Sequence, residues 1–228
     1  MSSGPIKFEQ THTAPEIARR IHVSLGSEIL DYVWYFIKVF VIVLLVYLFL
    51  KDNIFRSFEV DGASMKPNYA TGQRVYVNKI APDLGDIRRG DVVVIHRPDA
   101  GCPINTIHDS CFYIKRVIGL PGEKIKLEDG DVSIINKQYP RGVKLDETAY
   151  LSKEVKTYPK LSVDSATSFT TEELSSSQYY LMGDNRPFSS DSRVFGSVEK
   201  SEFQGKEFFR QDRGFFTLPQ YNIPNTNQ

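Results

Sequence analysis

Two kinds of hydrophobic pattern divide the 228-residue chain. From residue 33 to residue 50 it reads VWYFIKVFVIVLLVYLFL, apolar on every face of a helix and interrupted only by Lys38. About 18 such residues suffice to cross a bilayer as a helix. Trp34 and Tyr35 suit an aromatic belt at the N-terminal edge, and Lys38 is near enough to that edge to extend its ammonium toward an interface. The expected anchor covers residues 29–50. Beyond it, short runs rich in Val, Ile, Tyr and Phe are separated by Gly, Pro, Asp and Asn, the mark of many short strands. Strands are predicted at 58–60, 74–79, 91–96, 113–118, 124–127, 132–136, 179–182 and 193–197. The fold class is therefore mainly β, an N-terminal transmembrane helix followed by a β-sheet domain over residues 51–228.

Residues 128–178 differ in character, with an acidic turn at Glu128–Asp131, a Lys-rich middle and a polar run near their end. A stretch of that length needs structure of its own, so a small inserted β-rich subdomain is expected there. Residues 1–28 are polar, carry Pro5 and Pro15, and read as a short cytoplasmic segment with one or two helical turns. A buried core helix or a cleaved secretory signal would also fit the apolar run. However, the following KDNIFRSFEV lacks a small-x-small cleavage pattern, and about 32 residues precede the run, longer than most leader regions. A retained single-pass anchor is the reading.

Charge adds an exclusion. The 28 Lys and Arg are matched by 28 Asp and Glu, so no basic field exists to draw the chain onto nucleic acid. Arg19 and Arg20 before the span nearly balance Lys51 and Arg56 after it, which leaves orientation to another feature. Cys102 and Cys111 lie in the turn-rich segment RPDAGCPINTIHDSC, and pairing them requires an oxidising compartment. That places residues 51–228 outside the cytoplasm. A zinc site shared with His96 and His108, or two reduced thiols, are the other uses of this loop. No metal or cofactor is expected.

Two positions carry candidate chemistry. Ser64 stands in FEVDGASMKP (58–67) and Lys115 in FYIKRVIGLPGE (112–123). A serine hydroxyl becomes a nucleophile only when a base takes its proton. His96 and His108 are the histidines past the anchor, and a Ser-His-Asp arrangement built on them is one option. A desolvated lysine is the other, since burial lowers a lysine pKa from about 10.4 by as much as 3–5 units. Lys115 has apolar strand neighbours on both faces, while Ser64 is flanked by Met65, Pro67 and a strand entering at Phe58 and Val60. A turn serine and a half-exposed strand lysine are the ordinary readings of the same residues. The S-x-x-K match at Ser197–Lys200 lacks the Ser-Asp-Asn and Lys-Thr-Gly that complete such a site.

The segments GASMKP (62–67), YIKRVIGLPG (113–122) and GDNRPFSSDSR (183–193), in that order, resemble the serine-lysine blocks of type I signal peptidases. The resemblance implies a membrane-bound serine endopeptidase with Ser64 as nucleophile, Lys115 as general base and Ser189 orienting the lysine. It implies a structural Asp191–Arg193 ion pair near the site, with Asp184 shaping the turn. Gly62 stands where some members place a serine whose hydroxyl assists the oxyanion, which leaves the Ser64 N–H as donor. The implied substrate is the small-x-small region of a secretory signal peptide, added as a strand to edges at 58–61 and 112–115. Phe58, Val60, Asp61, Met65, Tyr113 and Ile114 are the candidate substrate contacts. The implied partners are signal peptides, the lipid bilayer and export machinery at the inner (plasma) membrane. A dedicated serine-lysine peptidase of a conjugation or pilin-type system, and an inactive membrane-anchored scaffold, are the alternatives.

Overall fold

The structure is a computed structural model that describes residues 14–98, 111–160, 168–212 and 215–217. The chain divides into two compact units, Met1–Leu50 and Lys51–Gln228. The first contains most of helix α1 (Ala14–Asn53), 40 residues long. Its portion Glu28–Lys51, 24 residues, is long and apolar enough to cross a membrane. At about 1.5 Å per residue that portion exceeds the roughly 30 Å of a bilayer's hydrocarbon core. Its large apolar side chains are all exposed. Lys38 Nζ lies 5.5 Å from the centroid of the Trp34 ring one turn earlier. The helix starts well before the expected anchor. Pro15 does not prevent this, because a proline in the first turn gives up an N–H that has no intrahelical acceptor.

The second unit is built on two antiparallel sheets. Strands β1 (Phe55–Glu59), β2 (Arg74–Asn78), β3 (Val92–His96) and β4 (Phe112–Gly119) are followed by β5 (Lys124–Glu128), β6 (Asp131–Ile135), β7 (Val143–Lys144) and β8 (Ser168–Thr170). Then come β9 (Gln178–Met182), helix α2 (Ser192–Phe195), β10 (Val198–Glu199), β11 (Phe203–Asp212) and β12 (Phe215–Thr217). The larger sheet runs β1-β2-β11-β3-β4-β9-β10, with β12 paired to β11, and the smaller runs β7-β6-β5-β8. The small sheet thus begins at Lys124.

The central strands are buried on both faces, which explains their unbroken apolar runs. In β3, Val93 and Ile95 join a core with Val117, Leu181 and Phe203, whereas Val92 and Val94 join one with Val60, Met65 and Val75. Ile118, Tyr180 and Met182 face a third core shared with Ile125, Leu127 and Ile134 of the small sheet.

Two expectations are corrected. Residues 193–197 are not a strand: Ser192–Phe195 form a helical turn whose N-cap Asp191 accepts from Arg193 N, and Gly196 at φ +81° ends it. A local side-chain acceptor for an otherwise orphan N–H outweighs the apolar alternation of Val194 and Phe195. Conversely, β11 lies between β2 and β3 but went unread. Its pairing shifts between Phe203 and Gly205 and again between Glu207 and Phe209, so the sequence loses its period of two. At Gly205, φ +154°, an added Cβ would stand 2.7 Å from Asn78 O. Gly205→Ala is expected to destabilise the domain by about 1–3 kcal/mol, the usual cost of overpacking, seen as a lower Tm in thermal denaturation.

Candidate active site

Ser64 follows β1 in a loop over residues 60–73. Val60 N donates to Gln73 O at 2.8 Å and Gly72 N to Val60 O at 2.8 Å, which closes its neck. Inside the loop, Lys66 N donates to Ala63 O at 3.1 Å and Tyr69 N to Met65 O at 2.9 Å, while Met65, 1 % exposed, anchors it in the core. Gly62, at φ +100°, makes the bend ahead of Ser64, a backbone region that favours glycine.

Lys115 lies on β4 opposite Val93 and is 2 % exposed. Its Nζ donates to Ser64 Oγ at 2.9 Å and to Ile114 O at 2.9 Å. Burial pushes its pKa from 10.5 down to about 8, and the nearby Asp191 and Asp184 carboxylates pull the other way. Burial prevails because each carboxylate is already committed to an arginine. Arg116 Nε and Nη2 donate to Asp184 Oδ1 and Oδ2 at 2.8 and 2.7 Å. Arg193 Nε and Nη2 donate to Asp191 Oδ1 and Oδ2 at 2.8 and 2.7 Å. Burial disfavours charge on Asp191, yet Arg193 and the Gly183 N–H hold its carboxyl below the usual range.

The loop over residues 183–193 rests directly on the Ser64 segment. Asn185 N donates to Ser64 O at 2.9 Å and Asn185 Nδ2 to Ala63 O at 3.0 Å. Gly183 packs so tightly that an added Cβ would overlap Ser189 Oγ and Ser64 O. Ser189 is fully buried, and its hydroxyl lies beside the Asp191 carboxyl, which it helps to hold below the usual range. Beside the pair opens a cavity of about 290 Å³, lined by Phe58, Val60, Asp61, Ser64, Ile114 and Lys115 among others.

The sequence from residue 33 to residue 211 matches the family described as "Signal peptidase, peptidase S26". The chain belongs to this family. It is 36% identical to signal peptidase I T of Bacillus subtilis (strain 168) over 156 residues, 68% of this chain and 72% of that protein. To a signal peptidase I P of Bacillus subtilis subsp. natto it is 31% identical over 191 residues, 82% and 92% of the two chains. A solved signal peptidase I from Enterococcus faecalis V583 is 27% identical, covering 53% of this chain and 95% of that one, with a TM-score of 0.37. The resemblance read from the three segments is thus a family membership, and the protein is an S26-family peptidase.

In this S26 member the structure brings together Ser64, Lys115, Ser189, Asp184, Asp191 and Arg193. Phe58, Val60, Asp61, Tyr113 and Ile114 line the cavity. Met65 does not; it faces the core beside Tyr69 and Val75. Lys115 donates to Ser64 and Ile114 rather than to Ser189. His96 closes β3 with its ring 4.9 Å from Phe112. Cys111 is disulfide-bonded, while Cys102 and His108 lie outside the described residues.

Sequence reasoning missed a supporting set from the stretch after β7. Asn68 Nδ2 donates to Asp184 Oδ2 at 2.8 Å and to Tyr150 O at 2.7 Å. The Arg116 guanidinium lies 4.2 Å from the Tyr150 ring centroid, and Arg186, 1 % exposed, pairs with Glu147. Only the apolar flanks of Tyr150 and Leu151 hinted that this polar stretch turns inward. Asp184→Leu, which leaves the Arg116 guanidinium buried without its partner, is expected to cost about 3–5 kcal/mol in chemical denaturation.

Proposed function

We propose that the chain is a membrane-anchored serine endopeptidase that removes N-terminal signal peptides from exported preproteins after a small-x-small site. The observation that carries this reading is the 2.9 Å contact between Lys115 Nζ and Ser64 Oγ, made by an amine whose burial brings its pKa to about 8. At a pKa of about 8, roughly a tenth of such an amine is neutral at pH 7 and about half at pH 8, and the neutral form is able to act as a base.

The reaction follows from that contact. Neutral Lys115 takes the Ser64 proton as Oγ attacks the scissile carbonyl carbon. The resulting oxyanion meets the Ser64 N–H, since Gly62 brings no hydroxyl. The intermediate collapses, the C–N bond breaks, and the Lys115 ammonium returns its proton to the leaving amine. A water then gives a proton to Lys115 and attacks the acyl carbon; the bond from that carbon to Ser64 Oγ breaks, the Lys115 ammonium returns the proton to Oγ, and the acid is released.

Strand geometry supports the substrate class. Among the described residues β1 ends its sheet with one edge unpaired, and β4 pairs with β9 only from Arg116 onward, which leaves the 112–115 side open. An extended peptide fits between these edges by strand addition, its alternate side chains turned toward the cavity of about 290 Å³. Walls of Phe58, Val60 and Ile114 favour small apolar side chains there. The span at Glu28–Lys51 would serve as anchor, and the bonded Cys111 fits a domain held outside the cytoplasm at the plasma membrane. The small sheet would be the subdomain inserted into the peptidase unit.

The test is cleavage of a signal-peptide substrate by the detergent-solubilised chain. Ser64→Ala and Lys115→Met are each expected to lose at least about 10²–10⁴-fold in kcat/KM while still binding the peptide. Full activity in either variant would sink the pair, and binding without turnover in the unaltered chain would favour a scaffold. The pH profile of kcat/KM has a sign: the active form is neutral Lys115, so the rate rises with pH through about 8 and then levels. Gly183→Ala, which displaces Ser189 or Ser64, is expected to lower kcat by about 10²-fold.

A further inference from the structure

The loop bearing Ser189 has carbonyls that no strand or helix satisfies, and cationic side chains take them. Gly183 O accepts from Arg186 Nε at 3.1 Å, and Arg186 O from Arg193 Nη2 at 2.7 Å. The next two belong to one residue from the stretch after β7: Lys160 Nζ donates to Pro187 O at 2.9 Å and to Ser189 O at 2.8 Å. Both acceptors are main-chain oxygens, so this ammonium acts as a clamp on backbone position rather than as half of an ion pair. It spans Phe188, a residue 77 % exposed that does not fix the loop by packing. The same stretch also holds Arg186 through Glu147 and Thr157, and Arg193 through Tyr158 O at 3.3 Å.

Ser189 is the point where this support meets the reaction centre. Its carbonyl is on Lys160, and its hydroxyl lies against Gly183 at the place where Gly183 also touches Ser64 O. A shift of the Ser189 backbone therefore moves the Gly183 contact, and with it the seat of the nucleophile.

We propose that Lys160 is a positioning residue for peptide cleavage: by bridging Pro187 O and Ser189 O it fixes the 183–193 loop against Ser64, although it contacts neither reactive group. This rests on the reading of Ser64 and Lys115 as the reacting pair. Charge-assisted hydrogen bonds are short and directional, which suits an ammonium to this task. A misplacement of about 1 Å at a reacting centre can cost about 10²-fold in rate, so even a partial relaxation of the loop is measurable.

The experiment compares the full chain in detergent with K160M, K160R and K160C, using S64A as control and a signal-peptide substrate. K160M is expected to lose about tenfold in kcat with KM within about twofold and Tm within about 2 °C. K160R, whose guanidinium carries five donors, is expected to recover most of the rate. K160C should be as slow as K160M, and alkylation with 2-bromoethylamine, which rebuilds an ammonium through a thioether, should restore it. This last step keeps the proposal testable if K160M folds poorly. An unchanged kcat in K160M beside an inactive S64A would overturn the clamp alone. A failure of both K160R and the alkylated K160C to regain rate would overturn it as well. Cleavage by S64A would overturn the underlying pair, and the clamp with it.

Discussion

The dryness of one amine governs this structure. Lys115 is a cation in water, and a protein that buries it must either pair its charge or let it become neutral. Two carboxylates, Asp191 and Asp184, stand near enough to favour its charged form. Each is instead gripped by both arms of an arginine, Asp184 by Arg116 and Asp191 by Arg193. Desolvation then outweighs the residual attraction and the amine falls to about 8. The buried ion pairs keep the charge of the two acids on the arginines rather than on the amine.

The fold supplies that environment from distant parts of the chain. β4 places Lys115 and Arg116 on opposite faces, one toward Ser64 and the other toward Asp184. The 183–193 loop brings both acids, and it is held to the Ser64 segment by Asn185 and by the absence of a side chain at Gly183. Support comes from Tyr150, Glu147, Thr157 and Lys160, which belong to the polar stretch between β7 and β8 of the small sheet. The segment before β3 is also tied to the turn before β5, since Arg89 reaches Glu123 at 2.7 Å with both side chains 6% exposed.

Legibility in the sequence followed the physics of each element. The apolar span and the β character were readable because uninterrupted or alternating apolar residues have few other uses, whereas Ser64 and Lys115 each had an ordinary reading as well, and their pairing came from the resemblance. β11 was not, because two bulges erase its alternation and because Glu207 is buried within it. That glutamate is pushed up to about 7 by burial and accepts from the Tyr69 hydroxyl, an arrangement no periodicity reports. The short helix after Asp191 was misread since its cap decides it, not its apolar content. The clamp residues were hidden because their partners are backbone carbonyls, which the sequence does not distinguish from one another.

The central claim is that the amine of Lys115 is desolvated and uncompensated, and it is most directly tested by watching that amine titrate. Selective ¹³C labelling of lysine side chains, with Lys115→Arg to assign the signal, gives the ε-carbon shift of Lys115 against pH. A midpoint near 8, well below the other lysines, is the result this structure requires. A midpoint at the ordinary lysine value of about 10.4 would show the amine charged at working pH and would contradict the account.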